Sequence, residues 1–285
     1  RRHTRYIGDW SSDVCSSDLD LRQLSDDQFQ VIQAAFFRHG LLFFRDQHLD
    51  ELDHIAFAKR WGDININRFF KAHNEHPEIA LVEKEPDQQQ NIGGGWHTDH
   101  SYDEVPALGS ILAARELPPE GGDTWFVSAA DAFDRLDPSL KNSLMKLTAT
   151  HSGKHVFGST SPYAQSQHQT GRLKGTGQAD ELPDPVHPVV IAHPLSGRAT
   201  LYINPGFTVR INELSESDSA AMLDRLYGEM KREEFVERFV WKPGSIAFWD
   251  NRATWHFAQN DYQGHRREMH RITIEGEPLR RYISG

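Results

Sequence analysis

The sequence contains almost no cysteine and no long hydrophobic run, and each absence excludes a class of protein. Cys15 is the single cysteine among 285 residues, so an internal disulfide framework and a thiolate-bound metal cluster are excluded. No stretch approaches the roughly 20 consecutive apolar residues of a membrane span, and the N-terminal residues lack the apolar core of a secretory signal. We therefore expect a cytoplasmic protein.

The chain also lacks an excess of positive charge and the signatures of several enzyme classes. Aspartate and glutamate number 41 against 31 lysines and arginines, and the formal charge is -10. There is thus no electrostatic reason to expect nucleic acid or an anionic membrane as a partner. The sequence has no Gly-X-Ser-X-Gly elbow, no Gly-X4-Gly-Lys phosphate loop and no dinucleotide-binding fingerprint. We expect a small-molecule partner and a homo-oligomeric protein.

The first 19 residues differ in composition from the rest of the chain. The run GDWSSDVCSSDL, from Gly8 to Leu19, is rich in serine and aspartate, has no periodicity and matches one translation frame of a common sequencing-library adapter. We predict that residues 1–19 are non-native and that the native N-terminus is missing, with a disordered native tail as the alternative. Residues 20–285 are long enough for a single domain with a sizeable core.

End signals in the sequence predict two helices early in the chain. Ser25 caps a helix that continues to about Arg38 and stops at Gly40. Asp50 caps a second helix, which ends at Gly62. Two later helices are predicted at about 134–146 and 216–231.

Short runs rich in β-branched and aromatic residues predict many strands. They lie at about 41–45, 79–82, 108–113, 124–127, 189–192, 200–203, 239–241, 246–249 and 271–274. Strict alternation of strand and helix is absent, so a doubly wound sheet is disfavoured. The pattern predicts a mainly β fold with flanking helices around a double-stranded β-helix, or jelly-roll, core.

One segment, at about Gly158 to Asp184, is polar and has no clear period. Loops of this length inside compact domains are usually functional or disordered. The two interpretations are a lid over a pocket and a disordered insertion.

The spacing of three residues indicates a metal site. In Trp96-His97-Thr98-Asp99, the imidazole of His97 and the carboxylate of Asp99 lie at positions i and i+2, which point to one side of an extended strand. A third ligand is available in His256, which follows the apolar strand at 246–249. Two histidines and one carboxylate on one face suit iron(II) and leave positions open for substrate and oxygen.

Two arginines after His256 suggest an anionic ligand. Arg267 precedes the strand predicted at 271–274, and Arg271 is the first residue of that strand. An arginine that enters the mouth of a barrel needs an anionic partner, since burying an unpaired charge is costly. A dicarboxylate would supply one, whereas the alternative interpretation of Arg267 is a solvated member of a basic pair.

Together these motifs resemble the taurine dioxygenase and 2,4-dichlorophenoxyacetate dioxygenase family of iron(II)/2-oxoglutarate oxygenases. The resemblance extends from about Leu21 to Gly276. It is carried by WHTD at 96–99, GGDT at 121–124 and WDNRATWH at 249–256, followed by Arg267.

The resemblance implies a role for each matching residue. His97, Asp99 and His256 would be the catalytic iron ligands. Arg267 would pair with the distal carboxylate of 2-oxoglutarate and Thr124 would hydrogen-bond it. The substrate residues would be Arg271, which would meet an anionic group, together with Asn67, Phe70, Gly93 and Phe207.

The resemblance also implies the reaction. With iron(II) as cofactor, the enzyme would consume 2-oxoglutarate and O2 and hydroxylate a small organic anion. Succinate and carbon dioxide would be released. Asp99 fills the position that related halogenases leave empty, which favours hydroxylation. Asn67, Phe70 and Gly93 stand where the taurine enzyme has histidine, tyrosine and asparagine, so taurine itself is not the expected substrate. A sulfonate, sulfate ester or carboxylate is expected.

Two other functions compete with this interpretation. A hydrolase could use the same three ligands around zinc with a metal-bound water, but it would have no use for Thr124 and Arg267 at these spacings. A non-catalytic jelly-roll binding protein would have ordinary surface histidines, and the three predicted ligands would not converge.

Overall fold

The computed structural model describes residues 12–14, 19–175 and 177–284 of the chain. Cys15 and most of the predicted non-native segment 1–19 lie outside these residues. The helices are α1 (Asp26–His39), α2 (Glu51–Lys59), α3 (Ala129–Arg135), α4 (Pro138–Leu144), α5 (Lys154–Phe157), α6 (Pro162–Gln169), α7 (Gln178–Glu181) and α8 (Glu216–Met230).

The strands are short and mostly antiparallel. They are β1 (Ser12–Val14), β2 (Leu41–Phe44), β3 (Ile64–Asn65), β4 (Ala80–Lys84), β5 (Gly109–Glu116), β6 (Thr124–Ser128), β7 (Thr148–His151), β8 (Val186–Pro188), β9 (Val190–Ala192), β10 (Ala199–Leu201), β11 (Thr208–Ile211), β12 (Val236–Phe239), β13 (Ile246–Asp250), β14 (Thr254–Ala258), β15 (Arg267–Ile274) and β16 (Arg280–Arg281).

The first two helices begin and end close to where the sequence predicts. Ser25 caps α1 with a reciprocal capping box, and Gly40 ends it in the left-handed conformation at φ 68°. Asp50 forms the same capping box at the start of α2. The single helix predicted at 134–146 is wrong, because Pro138 begins a new helix after Asp137 has capped it.

The segment at 158–184 contains helices that the sequence did not indicate. Helix α6 begins after Ser161, whose hydroxyl accepts from the Ala164 backbone N–H, and α7 follows it. Between these two helices, Leu173 forms a β-bridge with Phe70. Polar composition concealed these helices, since they carry few apolar residues at helical spacing.

One large sheet and one small sheet position the functional site. The large sheet has the order β1-β2-β13-β5-β15-β3, with β4 also paired to β15, and the small sheet has the order β12-β6-β14. Every pairing in them is antiparallel except that of β1 with β2. The remaining sheets are β11-β7-β8 and β10-β9-β16. The predicted class of mainly β structure with flanking helices is confirmed.

Apolar side chains fill the space between the large and small sheets. Phe43 from the large sheet stacks on Phe239 from the small one, with ring centroids 4.0 Å apart. Phe126 and Trp249 join them in one buried cluster. A second cluster packs α1 and α2 on the opposite face of the large sheet. Among the described residues, no helix is long and apolar enough to span a membrane.

Candidate active site

The three predicted metal ligands lie close together in the structure. Ligand atoms of His97, Asp99 and His256 all lie within 4.8 Å of one another. Nε2 of His97 is 3.7 Å from Oδ1 of Asp99, and Nε2 of His256 is 4.0 Å from Oδ2. This convergence argues against a binding protein with unrelated surface histidines.

Backbone hydrogen bonds hold two of the ligands side by side. The His97 N–H donates to the His256 carbonyl at 3.1 Å, and the His256 N–H returns a bond to the His97 carbonyl at 2.8 Å. Gly206 permits this arrangement, because a Cβ there would lie 2.6 Å from Cβ of His97. His256 itself belongs to β14, which pairs with β6 along its length.

A second contact sets the orientation of the His97 ring. Its Nδ1 lies 2.7 Å from the Gly95 carbonyl oxygen, which can only accept, so Nδ1 carries the hydrogen. The lone pair is then on Nε2, the atom that faces Asp99. Such an outer hydrogen bond is the usual support of a metal-binding imidazole.

Burial and a neighbouring charge keep two of the ligands, Asp99 and His256, in the protonation states that a metal requires. Burial opposes ionisation of Asp99, but the positive charge of Arg271 holds the pKa of its carboxyl well below the usual range. Burial, followed by the neighbouring His97, lowers the pKa of His256 well below its usual value. A carboxylate and a neutral imidazole result.

A small cavity next to the ligands contains the two predicted arginines. Arg267, Arg271 and Thr124 line it together with His97 and His256. We call it the small cavity.

Arg267 is a buried cation, and some of its N–H donors have no hydrogen-bond partner among the described residues. It is 4% exposed, and its Nε and Nη2 have no hydrogen-bond partner among the described residues. Burial lowers the pKa of its guanidinium, although an arginine stays charged at neutral pH. A buried cation with free N–H groups requires an anion, so the small cavity fits a carboxylate-bearing ligand.

Thr124 and a glycine complete this anion site. Nε1 of Trp241 donates to Oγ1 of Thr124 at 3.0 Å, which leaves the hydroxyl hydrogen of Thr124 for another acceptor. Gly122 has φ 72°, and a Cβ at this position would be 3.2 Å from Cδ and Nε of Arg267. The GGDT motif thus supplies both a hydroxyl and room for the arginine.

Arg271 lies between the metal ligands and the substrate residues. Its Nη1 donates to Oδ2 of Asp99 at 3.0 Å, and its guanidinium carbon is 4.3 Å from the centroid of the Phe70 ring. Its Nε has no hydrogen-bond partner among the described residues. Part of its charge is therefore offset by Asp99, while free donors remain.

A larger cavity adjoins the small one. It has a volume of about 580 Å³, and it shares Phe70, Ile92, Gly93 and His97 with the small cavity. Most of its other walls are apolar or backbone, and among the described residues that line it none is lysine or arginine. We call it the large cavity, and it suits an uncharged molecular body.

Four of the five predicted substrate residues line one or both cavities. Phe70, Gly93 and Phe207 line the large cavity, and Arg271 lines the small one. Asn67 differs, since it lines neither of the two. Its Oδ1 accepts from the backbone N–H groups of residues 69 and 70 at 2.9 and 3.0 Å, so it shapes the turn that presents Phe70.

Several residues of the site escaped sequence reasoning. Val156, Phe157 and Tyr163 line the large cavity, but they lie in short helices without a motif. Ser110 donates to Oδ2 of Asp99 at 3.1 Å. One sequence feature indicated this role for Ser110, namely a polar residue near the start of an otherwise apolar strand.

Comparison with known proteins gives a consistent result. Residues 3–273 match the model of a family described as "Taurine catabolism dioxygenase TauD, TfdA family". An alpha-ketoglutarate-dependent sulfate ester dioxygenase of Pseudomonas putida is 33% identical over 92% of this chain and 84% of its own length. A (S)-phenoxypropionate/alpha-ketoglutarate-dioxygenase of Sphingobium herbicidovorans is 34% identical over 90% of each.

Solved structures agree with these matches. The crystal structure of a taurine dioxygenase from Burkholderia xenovorans superposes with a TM-score of 0.78 at 28% identity, covering 99% of this chain and 96% of that one.

Proposed function

Since this chain belongs to the TauD, TfdA family, we propose that the site assembled by its two sheets hydroxylates an organic anion with an apolar body. The chain is a non-haem iron dioxygenase that depends on 2-oxoglutarate and O2. Its sheets would form the two faces of a double-stranded β-helix. The single observation that carries the assignment is Arg267, a buried cation in the cavity lined by His97 and His256, whose Nε and Nη2 have no hydrogen-bond partner among the described residues.

The residues divide into two sets by the ligand they would hold. His97, Asp99 and His256 would bind iron(II), which favours this combination of imidazole and carboxylate. Arg267 would take the distal carboxylate of 2-oxoglutarate, and Thr124 would donate its free hydroxyl hydrogen to the same group. Bound together, iron(II) and 2-oxoglutarate supply the oxidising chemistry that converts O2, 2-oxoglutarate and a substrate C–H bond into succinate, carbon dioxide and a hydroxylated product.

The protein's own contribution is orientation and exclusion of water. Arg271 would direct the anionic group of the substrate toward the small cavity, while Phe70 covers one side of its guanidinium. Phe157, Tyr163 and Phe207 would surround the remainder of the substrate. Their rings replace water around the reacting C–H bond.

The large cavity favours one class of substrate over taurine. A volume of about 580 Å³ with apolar walls is in the range of cavities that enclose drug-sized ligands. Taurine is much smaller, and among the described residues that line the large cavity the one carboxylate for its ammonium group is Asp99, which the iron would take. We therefore propose a medium-chain alkyl sulfate or an aryloxyalkanoate as the substrate.

The test has two stages. Iron(II) and 2-oxoglutarate are added without oxygen, and the weak visible charge-transfer band of their chelate is recorded. Succinate release is then measured with alkyl sulfates, aryloxyalkanoates and taurine. We expect the band, and faster release with either apolar anion than with taurine. Activity on zinc without any band would contradict the dioxygenase assignment, and preference for taurine would contradict the substrate class.

A further inference from the structure

Two donors converge on one oxygen of the ligand Asp99. Arg271 Nη1 and Ser110 Oγ reach Oδ2 at 3.0 and 3.1 Å, whereas Oδ1 lies 3.7 Å from Nε2 of His97. Two donors occupy the lone pairs that an oxygen offers in the carboxylate plane. They therefore favour Oδ1 as the oxygen left for a metal.

The hydroxyl of Ser110 has one hydrogen and two possible acceptors. Oδ2 of Asp99 is 3.1 Å away and charged, whereas Oδ1 of Asn251 is 3.5 Å away and neutral. The shorter bond to a charged acceptor is the stronger one. Ser110 then accepts from Nδ2 of Asn251 at 3.3 Å, and the three groups form a chain from amide to hydroxyl to carboxylate.

Asn251 is also hydrogen-bonded to the segment that carries His97 and Asp99 and to the residue that precedes β5. Its backbone N–H donates to the Leu108 carbonyl at 3.0 Å, and its carbonyl accepts from the hydroxyl of Thr98, which lies between His97 and Asp99. The residue is fully buried. It sits in the turn that joins β13 to β14, five residues before His256.

A buried ion pair holds the same turn from the other side. Arg252 donates to Asp250 through Nε and Nη2 at 2.9 and 2.8 Å, and Nε2 of His193 lies 3.0 Å from the same carboxylate. All three side chains are at most 3% exposed. Asp250 and Arg252 are the chain neighbours of Asn251, and both are held by this network. The side-chain amide of Asn251 is therefore held in one position.

We propose that Asn251 is a positioning residue that acts on the iron site through Ser110. It orients the Ser110 hydroxyl toward Oδ2 of Asp99, and this keeps Oδ1 directed at the metal. The proposal rests on the proposed function, since it concerns the affinity of the same three ligands for a divalent ion. No contact between Asn251 and substrate is required.

A double-mutant cycle on metal affinity tests this pathway. Binding of manganese(II), which is stable in air, is measured by calorimetry for the wild type, Ser110→Ala, Asn251→Ala and the double variant. We expect each single substitution to weaken binding about tenfold, the lower end of effects for residues that support metal ligands. Because Asn251 acts through Ser110, Asn251→Ala should have no further effect when Ser110 is already alanine. Full additivity, or unchanged affinity in Asn251→Ala, would overturn the proposal.

Two controls separate this pathway from general loss of structure. Ser219→Ala removes another buried hydroxyl, which accepts from the Ile211 N–H at 2.7 Å in a different part of the fold, and it should leave manganese affinity unchanged. Asn251→Leu preserves volume if the alanine variant does not fold, and the same cycle applies to it. Succinate release by the wild type tests the proposed function separately, so that function can stand even if the cycle is additive.

Discussion

The two adjoining cavities are built from different kinds of structure. Most side chains that line the small cavity come from β4, β5, β6, β13, β14 and β15, whose positions are fixed by sheet hydrogen bonds. The large cavity is lined mainly by loops and by the short helices α5 and α6. Strands position side chains more rigidly than loops do. The predicted cosubstrate residues Thr124 and Arg267 thus belong to the sheets, whereas most of the wall around the substrate body belongs to the connections between them.

The largest effect is expected from removing the cation of the small cavity. Arg267→Ala should weaken 2-oxoglutarate about 100-fold, within the range for truncating one partner of a buried charge pair. Manganese affinity should change little, because Arg267 is not a metal ligand. Titration of 2-oxoglutarate into the manganese-loaded variant measures the effect.

The neighbouring arginine provides the matched control. Arg266 pairs with Glu85, Glu116 and Glu268 at the surface, so Arg266→Ala should leave 2-oxoglutarate affinity unchanged. Equal losses in the two variants would mean that the small cavity does not select the cosubstrate through Arg267.

The difference between strands and the connections that join them also explains how much of the site could be predicted from the sequence. His97, Asp99 and His256 stand in short motifs on or beside strands, and the capping signals of α1 and α2 are local. Tyr163 lies in the segment 158–184, for which a lid was one of two interpretations, but the residue itself could not be predicted, because α6 has little apolar periodicity and the role of Tyr163 depends on where the helix packs.

Other residues were out of reach because their contacts join distant parts of the chain. The bond between Asn251 and Ser110 links residues 141 positions apart. Within either local sequence, a buried asparagine or serine has many possible roles. Asn67 was expected at the substrate from the resemblance, yet its Oδ1 caps a turn. Sequence patterns therefore predict ligands better than the residues that orient them.

A second, smaller effect is expected in the pH dependence of the free energy of unfolding, through a buried histidine next to the large sheet. His54 in α2 is fully buried near Arg115 of β5 and His270 of β15, and burial, then the charge of Arg115, lowers its pKa to about 3. The unfolded chain takes up a proton below pH 6.5 while the folded chain does not, so stability falls with pH from there toward pH 3. His54→Leu should remove about 2 kcal/mol of the loss between pH 7 and pH 5.

Urea unfolding at the two pH values measures this difference. His168 is exposed on α6, and His168→Leu serves as the control from the side of the large cavity. It should leave the pH dependence of unfolding as in the wild type. A His54→Leu variant that loses as much stability on acidification as the wild type would place the acid-sensitive group elsewhere.

The smallest effect is expected from filling the large cavity without touching the sheets. Val156 lies in α5 and lines that cavity, but not the small one. Val156→Trp should occupy space meant for the substrate body and raise the KM of an aryloxyalkanoate about tenfold, equivalent to roughly 1.4 kcal/mol. Affinity for 2-oxoglutarate should stay as in the wild type, while the KM of short alkyl sulfates should rise less than that of aryl substrates.

Val186→Trp, at an exposed position of β8, controls for the added indole. If 2-oxoglutarate affinity fell together with that of the substrate, the two cavities would respond as one unit, and the separation of cosubstrate binding from the binding of the substrate body would be wrong.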